Sequence, residues 1–140
     1  MSKRIITDTG FWIGYFDQRD QYHKEALIIA DIIFSHTIIC PFPSLYEFLN
    51  TRFTRNNKRI DDLELLLNKL SVIYVYDYDY RFDVISDFIS RNKKLNKISL
   101  VDLVINRIIE DDNMNINCMV TFNKSDFSAN CMKRNIEIIP

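Results

Sequence analysis

Glycine is almost missing from this chain, with two residues in 140, and proline occurs only three times. Few tight turns, little linker and no low-complexity segment can therefore be present. Cysteine is also scarce. Cys40, Cys118 and Cys131 are odd in number and share no C-x-x-C spacing, which argues against both a zinc site and a disulfide framework. Cys40 and Cys118 lie inside apolar runs and read as small core residues. Neither sign of charge is in excess. Eighteen Lys and Arg against 19 Asp and Glu leave a net charge of −1, which excludes a histone-like mode of nucleic-acid binding but not a local basic patch. No apolar run approaches the roughly 18 residues of a membrane span. "MSKR" leads into a short apolar run without a small-residue cleavage site, so no signal peptide is expected and the expected location is the cytoplasm. No Ser-His or Cys-His constellation offers a covalent nucleophile. His23 and His36 have no cysteine or acid at ligand spacing.

What the chain does have is an ordinary globular balance, 47% hydrophobic and 26% charged. Its length suits one domain spanning residues 1–140. Short, nearly continuous apolar runs occur at 4–7, 37–40, 72–76, 118–122 and 136–139. Helical periodicity fills the intervals, over 9–17, 22–34, 44–54, 61–70, 81–91 and 99–111. In 81–91, Phe82, Ile85, Phe88 and Ile89 share one face. In 99–111, Leu103, Ile105, Ile108 and Ile109 are candidates for burial. Strands apolar on both sides that alternate with helices predict an α/β fold, with a mostly parallel sheet of about five strands covered on both faces.

Acids fall where such a fold gathers its functional groups, at the carboxyl ends of strands. Asp8 directly follows the first strand in "IITDTGF". Glu47 sits in the first turns of the helix after the second, in "PFPSLYEFLN", and Asp126 follows the fourth, in "VTFNKSDF". Asp102, in "SLVDLVINRIIED", opens the helix that leads into the fourth strand, which can bring it to the same edge. Each has a plainer role beside this one. Asp8, Thr7 or Thr9 can cap the following helix. Ser99-x-x-Asp102 matches a capping box. Glu47 can be a solvated carboxylate on an apolar helix, and Asn123 and Asp126 turn residues. Four carboxylates on one edge repel unless a positive charge sits among them, and a hard divalent cation with oxygen ligands, Mg²⁺ or Mn²⁺, answers that need. Asp77, Asp79, Asp83 and Asp87 scatter over a loop and helix without convergent spacing. Asp61–Asp62 and Glu110–Asp111–Asp112 read as solvated faces or helix ends.

In order and approximate spacing, Asp8 in "IITDTGFWIGYFDQRDQYHKEA", Glu47 in "PSLYEFLN", Asp102 in "SLVDLVINRI" and the "VTFNKSDF" segment resemble the PIN-domain family. The overall size is most similar to the VapC-type toxin ribonucleases of bacterial toxin–antitoxin pairs, and the resemblance runs through to the terminal "IEIIP". It implies a PIN-like domain acting as a hydrolase, an endoribonuclease dependent on Mg²⁺ or Mn²⁺. An activated water would cut RNA and leave a 5′-phosphate and a 3′-hydroxyl. Asp8, Glu47, Asp102 and Asp126 are implied as the catalytic, metal-holding residues. Thr9, Thr121 and Asn123 are implied as polar neighbours that steady the site or orient substrate. A small antitoxin protein is the implied partner, and a homodimer the implied assembly, with helices 22–34 and 61–70 as interface candidates. Many family members carry another aspartate where this chain has Asn123. That departure keeps a second reading open, a PIN-like RNA- or protein-binding module with weak chemistry. A phosphatase on a related sheet would need a second aspartate two residues after Asp8, where Gly10 stands.

RNA binding needs positive charge that the net balance hides. "RFTRNNKR" supplies Arg52, Arg55, Lys58 and Arg59, and "RNKKLNK" supplies Arg91, Lys93, Lys94 and Lys97. Both segments flank helices that carry candidate acids, so both are expected to line a groove leading to the metal and to contact phosphates. Solubilising surface charge is the plainer account of any one of them. The aromatics of "YVYDYDYRF" offer stacking surfaces for unpaired bases, although Tyr74 and Tyr76 suit the sheet.

Overall fold

The computed structural model describes residues 1–95 and 98–139. Its strands are β1 (Arg4–Thr7), β2 (Thr37–Pro41), β3 (Val72–Val75), β4 (Cys118–Val120) and β5 (Glu137–Ile139), in the order β3-β2-β1-β4-β5. Every pair is parallel, not merely most of them. The helices are α1 (Thr9–Phe16), α2 (His23–Ile33), α3 (Phe42–Leu49), α4 (Asn57–Leu67), α5 (Arg81–Lys93), α6 (Leu100–Glu110) and α7 (Ser128–Lys133). No helix among the described residues is long and apolar enough to cross a membrane.

The period of two along each strand divides the core into two layers. Ile5, Ile38, Cys118 and Val120 face α1 to α4 and pack against Phe11, Trp12, Phe16, Ile33, Phe48 and Leu63. Ile6, Ile39 and Met119 face α5 to α7 and pack against Val84, Leu103, Ile105, Ile108 and Cys131. Both faces are covered, which is why the strands read as unbroken apolar runs. All three cysteines are buried and free. The chain leaves β1 toward one layer and leaves β4 toward the other. A crevice therefore opens between the carboxyl ends of these neighbouring strands, the place where open α/β sheets bind ligands.

Within the first layer an aromatic block fixes α1 to α3. Ring centroids are 5.9 Å apart for Trp12 and Phe48, 6.3 Å for Phe16 and Phe48, and 5.0 Å for Phe16 and Phe53. Such pairs add about 0.5–1.5 kcal/mol each beyond the area they bury. The block also sets the first turn of α1 beside the exposed side of α3.

Four sequence expectations are corrected. The helix expected over 44–54 stops at Leu49, where a short 3₁₀ turn (Arg52–Arg55) takes over. There the Thr51 hydroxyl donates to the Phe48 carbonyl (2.5 Å) and Thr54 to that of Thr51 (2.8 Å), side-chain bonds that compete with the helical pattern. The next helix begins at Asn57 rather than 61, because Asn56 Oδ1 caps it by accepting the Lys58 N–H. β4 ends at Val120, so Thr121 and Phe122 belong to the loop. Most of the α5 stripe faces outward: Phe82 is 88% exposed and Ile85 and Ile89 about half, while Phe88 packs partly against the core and Val84 is buried.

Candidate active site

Asp8 occupies the crevice at the end of β1, its backbone N–H 3.4 Å from the Val120 carbonyl of β4. Its Oδ1 accepts the Phe11 N–H at 3.0 Å, the N-cap bond of α1. Its Oδ2 accepts the hydroxyl of fully buried Thr121 at 2.5 Å. Thr121 Oγ1 in turn accepts the Asn123 N–H (3.0 Å), and Asn123 Nδ2 donates to Asp126 Oδ2 (2.5 Å). One line of hydrogen bonds thus joins the end of β1 to the loop after β4. In the other direction the Thr9 hydroxyl donates to Glu47 Oε1 at 2.5 Å, across the α1–α3 contact.

Asp102 enters from α6. The Ser99 hydroxyl caps that helix through the Asp102 N–H at 3.1 Å, one half of a capping box. One turn later, Asn106 Nδ2 donates to the carbonyls of both Asp102 (3.0 Å) and Asp126 (3.1 Å). Its Oδ1 accepts from Asn130 Nδ2 at 2.8 Å. Asn106 therefore ties the helix of one acid to the loop of another. No motif in the sequence marks Asn106, although an amide within "VDLVINRII" is a signal of its own, because a buried polar group must find partners.

Electrostatics record the convergence. Burial raises the Asp8 carboxyl and Glu47 adds to it, while the Thr121 hydroxyl and backbone N–H groups pull the other way. Asp102 is pushed up to about 6, first by burial and then by the charges of Asp126, Asp8 and Glu47, against the Ser99 hydroxyl. The four acids thus share one field, with Asp8 buried and Glu47 on the solvent side. Among the described residues no three acid, histidine or cysteine side chains can hold an ion as they stand. Asp8, Glu47 and Asp126 each give an oxygen to Thr121, Thr9 or Asn123 instead. The donor set is all carboxylate oxygen, which suits a hard cation and not a soft one.

The basic segments separate. Arg52, Arg55 and Arg59 line a groove of about 400 Å³ with Arg19 and Asp17. That groove lies at the far end of α1, eight residues and so about 12 Å from the Asp8 end. Arg52 pairs with Asp17 there (2.5 Å), Arg59 approaches Asp62 (3.8 Å), and Lys58 points to solvent. Arg91 instead shares a groove of about 390 Å³ with Arg107, Asn106 and Asp126, and pairs with Asp87 at 2.9 Å. Lys93 and Lys94 are exposed at the end of α5, and Lys97 lies outside the described residues. The remaining acid series serve helix surfaces: Asp77 pairs with Arg81, Glu110 with Arg107 and Asp112 with Arg134.

Neither a family model nor a curated protein matches the sequence. Solved structures do match. The chain is similar to VapC20 of Mycobacterium tuberculosis, a toxin that cleaves the sarcin–ricin loop, with a TM-score of 0.67 at 17% identity over 89% of this chain and 94% of that one. It is also similar to VapBC2 of Rickettsia felis, bound to a DNA fragment from its promoter, with a TM-score of 0.54 at 14% identity over 97% of each chain. Likeness at such identity is likeness of fold, and activity must be argued from the site. The chain has the PIN-like α/β fold that it shares with these two structures.

Proposed function

We propose that this chain is a Mg²⁺- or Mn²⁺-dependent endoribonuclease, the toxin of a type II toxin–antitoxin pair acting in the cytoplasm. The observation that carries the reading is the line of hydrogen bonds at the β1–β4 crevice, which runs from Asp8 through Thr121 and Asn123 to Asp126, with Asn106 joining the Asp126 loop to the turn of Asp102 and Thr9 holding Glu47 beside Asp8. An acid edge of this kind repels RNA phosphates by itself and calls for a cation. Asp8, Asp102 and Asp126 would hold it, with Glu47 completing the set as Glu47 and Asp126 swing away from Thr9 and Asn123. Such an ion supplies the Lewis acidity that activates a water and neutralises charge developing on the phosphoryl oxygens.

The chain's own residues set the geometry. Thr121 keeps Asp8 turned toward the β4 loop, and Asn106 holds Asp102 in register with Asp126. Arg91 in the groove beside Asp126, with Lys93 and Lys94 at the end of the same helix, would position a strand through its phosphates without reading its sequence. Arg52, Arg55, Lys58 and Arg59 would contact the strand farther along. The products would be a 5′-phosphate and a 3′-hydroxyl. The exposed Ile28 and Ile32 of α2 support a face covered by protein, either a second copy or a small antitoxin. A catalytically weak RNA-binding module is the second reading. It is favoured by Asn123, which brings a neutral amide to Asp126 where a further carboxylate would add charge.

The test is cleavage of a structured RNA with Mn²⁺ and with EDTA, by the wild type and by Asp8→Asn. The wild type should cut only with the metal, and Asp8→Asn should lose cleavage while keeping its fold, because an amide oxygen can still cap α1. A variant that cuts at the wild-type rate removes the site assignment. RNA that is bound but never cut transfers the case to the binding module.

A further inference from the structure

A third groove opens on the Asp8 side of the edge, of about 350 Å³ and lined by Asp8, Asp20, Gln21, Tyr22, Phe122 and Asn123. Its volume is at the lower end of small-molecule sites, about 300–1,000 Å³. One wall is aromatic: Tyr22 and Phe122 stack with centroids 4.4 Å apart and planes 5° from parallel. Phe122 is backed by Gly14, where an added Cβ would stand 3.5 Å from its ring. Asp20 Oδ2 accepts the Tyr22 N–H at 2.9 Å, which fixes the backbone that carries the outer ring. Gly10 adds no side chain over Asp8, and a Cβ there would lie 3.6 Å from Asp8 Oδ1. The carboxylate and the aromatic wall therefore open into the same space.

The charge of this groove differs from that of its neighbour beyond Asp126. Arg91 and Arg107 line that one. Here two carboxylates and two amides line the space, and no lysine or arginine is among the described residues that do. Such a lining opposes a phosphate. It suits a flat, neutral group that carries N–H donors. The geometry points to this groove as the seat of an unpaired nucleobase next to the scissile phosphate, an inference that rests on the nuclease reading above. The base would lie against the aromatic pair, since base–aromatic stacking tolerates any base. Asp20, Gln21 and Asn123 then select, because carboxylate and amide oxygens accept from exocyclic amino groups. The groove should prefer adenine, cytosine or guanine to uracil. The backbone path runs past the arginines on the Asp126 side, and the base turns into the Asp8 side.

Two measurements test this. NMR of the metal-free protein, titrated with cytidine, uridine and inorganic phosphate, reads binding without cleavage. Cytidine should shift the ring signals of Tyr22 and Phe122 saturably, uridine several-fold less tightly, and phosphate not at all. Tyr22→Ala should weaken cytidine about tenfold or more, Tyr22→Phe should restore it, and Gln21→Ala should narrow the cytidine–uridine gap. Rings that respond to phosphate, or to uridine as well as to cytidine, overturn the proposal, as do rings that respond to neither nucleoside. Mapping of cuts in a random single-stranded RNA pool is the second reading. The wild type should disfavour uracil at one position flanking the cut, and Gln21→Ala should relax that bias. Cleavage with no bias there overturns the groove and leaves the nuclease standing, whereas cytidine bound at the rings of a protein that never cuts RNA does the reverse.

Discussion

Burial and neighbouring carboxylates let Asp102 keep its proton up to about pH 6 in the folded protein, against 3.8 for the ordinary group. Between those values the folded chain binds more protons here than the unfolded one, so this group's contribution to stability declines as pH rises from about 4 to about 6. Above that range the loss is complete and constant. Urea midpoints of the metal-free protein should therefore fall over that interval, and Asp102→Asn should remove much of the fall. Asn123 offers the opposite manipulation. Asn123→Asp exchanges an amide donor 2.5 Å from Asp126 for a further charge. Calorimetry should find tighter Mn²⁺ binding in that variant and hardly any in Asp126→Asn. At this scale the sequence was legible where chemistry is local. Asp8 suits both a cap and a ligand by its sequence position, and the cap bond to Phe11 takes one oxygen, so the two roles do not compete outright. Asn106 was not legible. Its partners are the carbonyls of residues 102 and 126, and no local pattern tells which distant loop an amide will meet.

At the scale of elements, Asn106 is a joint between α6 and the β4 loop. Asn106→Leu leaves the half-buried Asp126 carbonyl and Asn130 amide without this partner, at a cost below the roughly 1–3 kcal/mol of fully buried polar groups because water reaches both. Its melting temperature should fall, and its Mn²⁺ affinity should fall further than that of an equally destabilised core variant such as Ile108→Val. Strands and long helices were readable, because two-sided apolar runs and 3.6-residue stripes come directly from burial on a sheet and on one helix face. Three places were not. The end of α3 depends on the hydroxyls of Thr51 and Thr54 bonding to backbone carbonyls. α7, "SANCMK", buries only Cys131 and so has no stripe to detect. The α5 stripe is genuine in the sequence, yet three of its four members face outward, since periodicity identifies an apolar face without saying what covers it.

For the molecule as a whole, the division of positive charge between two grooves has a measurable result. Arg52 and Arg59 already face Asp17 and Asp62, which leaves Arg55 and Lys58 as the cations of that segment without an ion pair among the described residues. Replacing Arg52, Arg55, Lys58 and Arg59 together by alanine should flatten the log–log salt dependence of single-strand binding by about 1.4. All four meeting phosphates would give about 2.8. The parallel sheet covered on both faces was foreseeable from βα alternation, whereas the order of its strands and the separation of the grooves were not, the latter because it depends on where α1 ends. The two-layer core carries one more consequence. Asp8 and Glu47 belong to the side that the aromatic block of Trp12, Phe16 and Phe48 makes rigid, and Asp102 and Asp126 to the side that Asn106 ties together. Repulsion among the acids therefore acts as a wedge driven between the helical layers at the end of the sheet. Anything that draws the four together closes that wedge like a clasp. Saturating Mn²⁺ should then slow amide hydrogen exchange most at Asp8, whose N–H reaches across from β1 to β4, and least at the opposite end of the same strands.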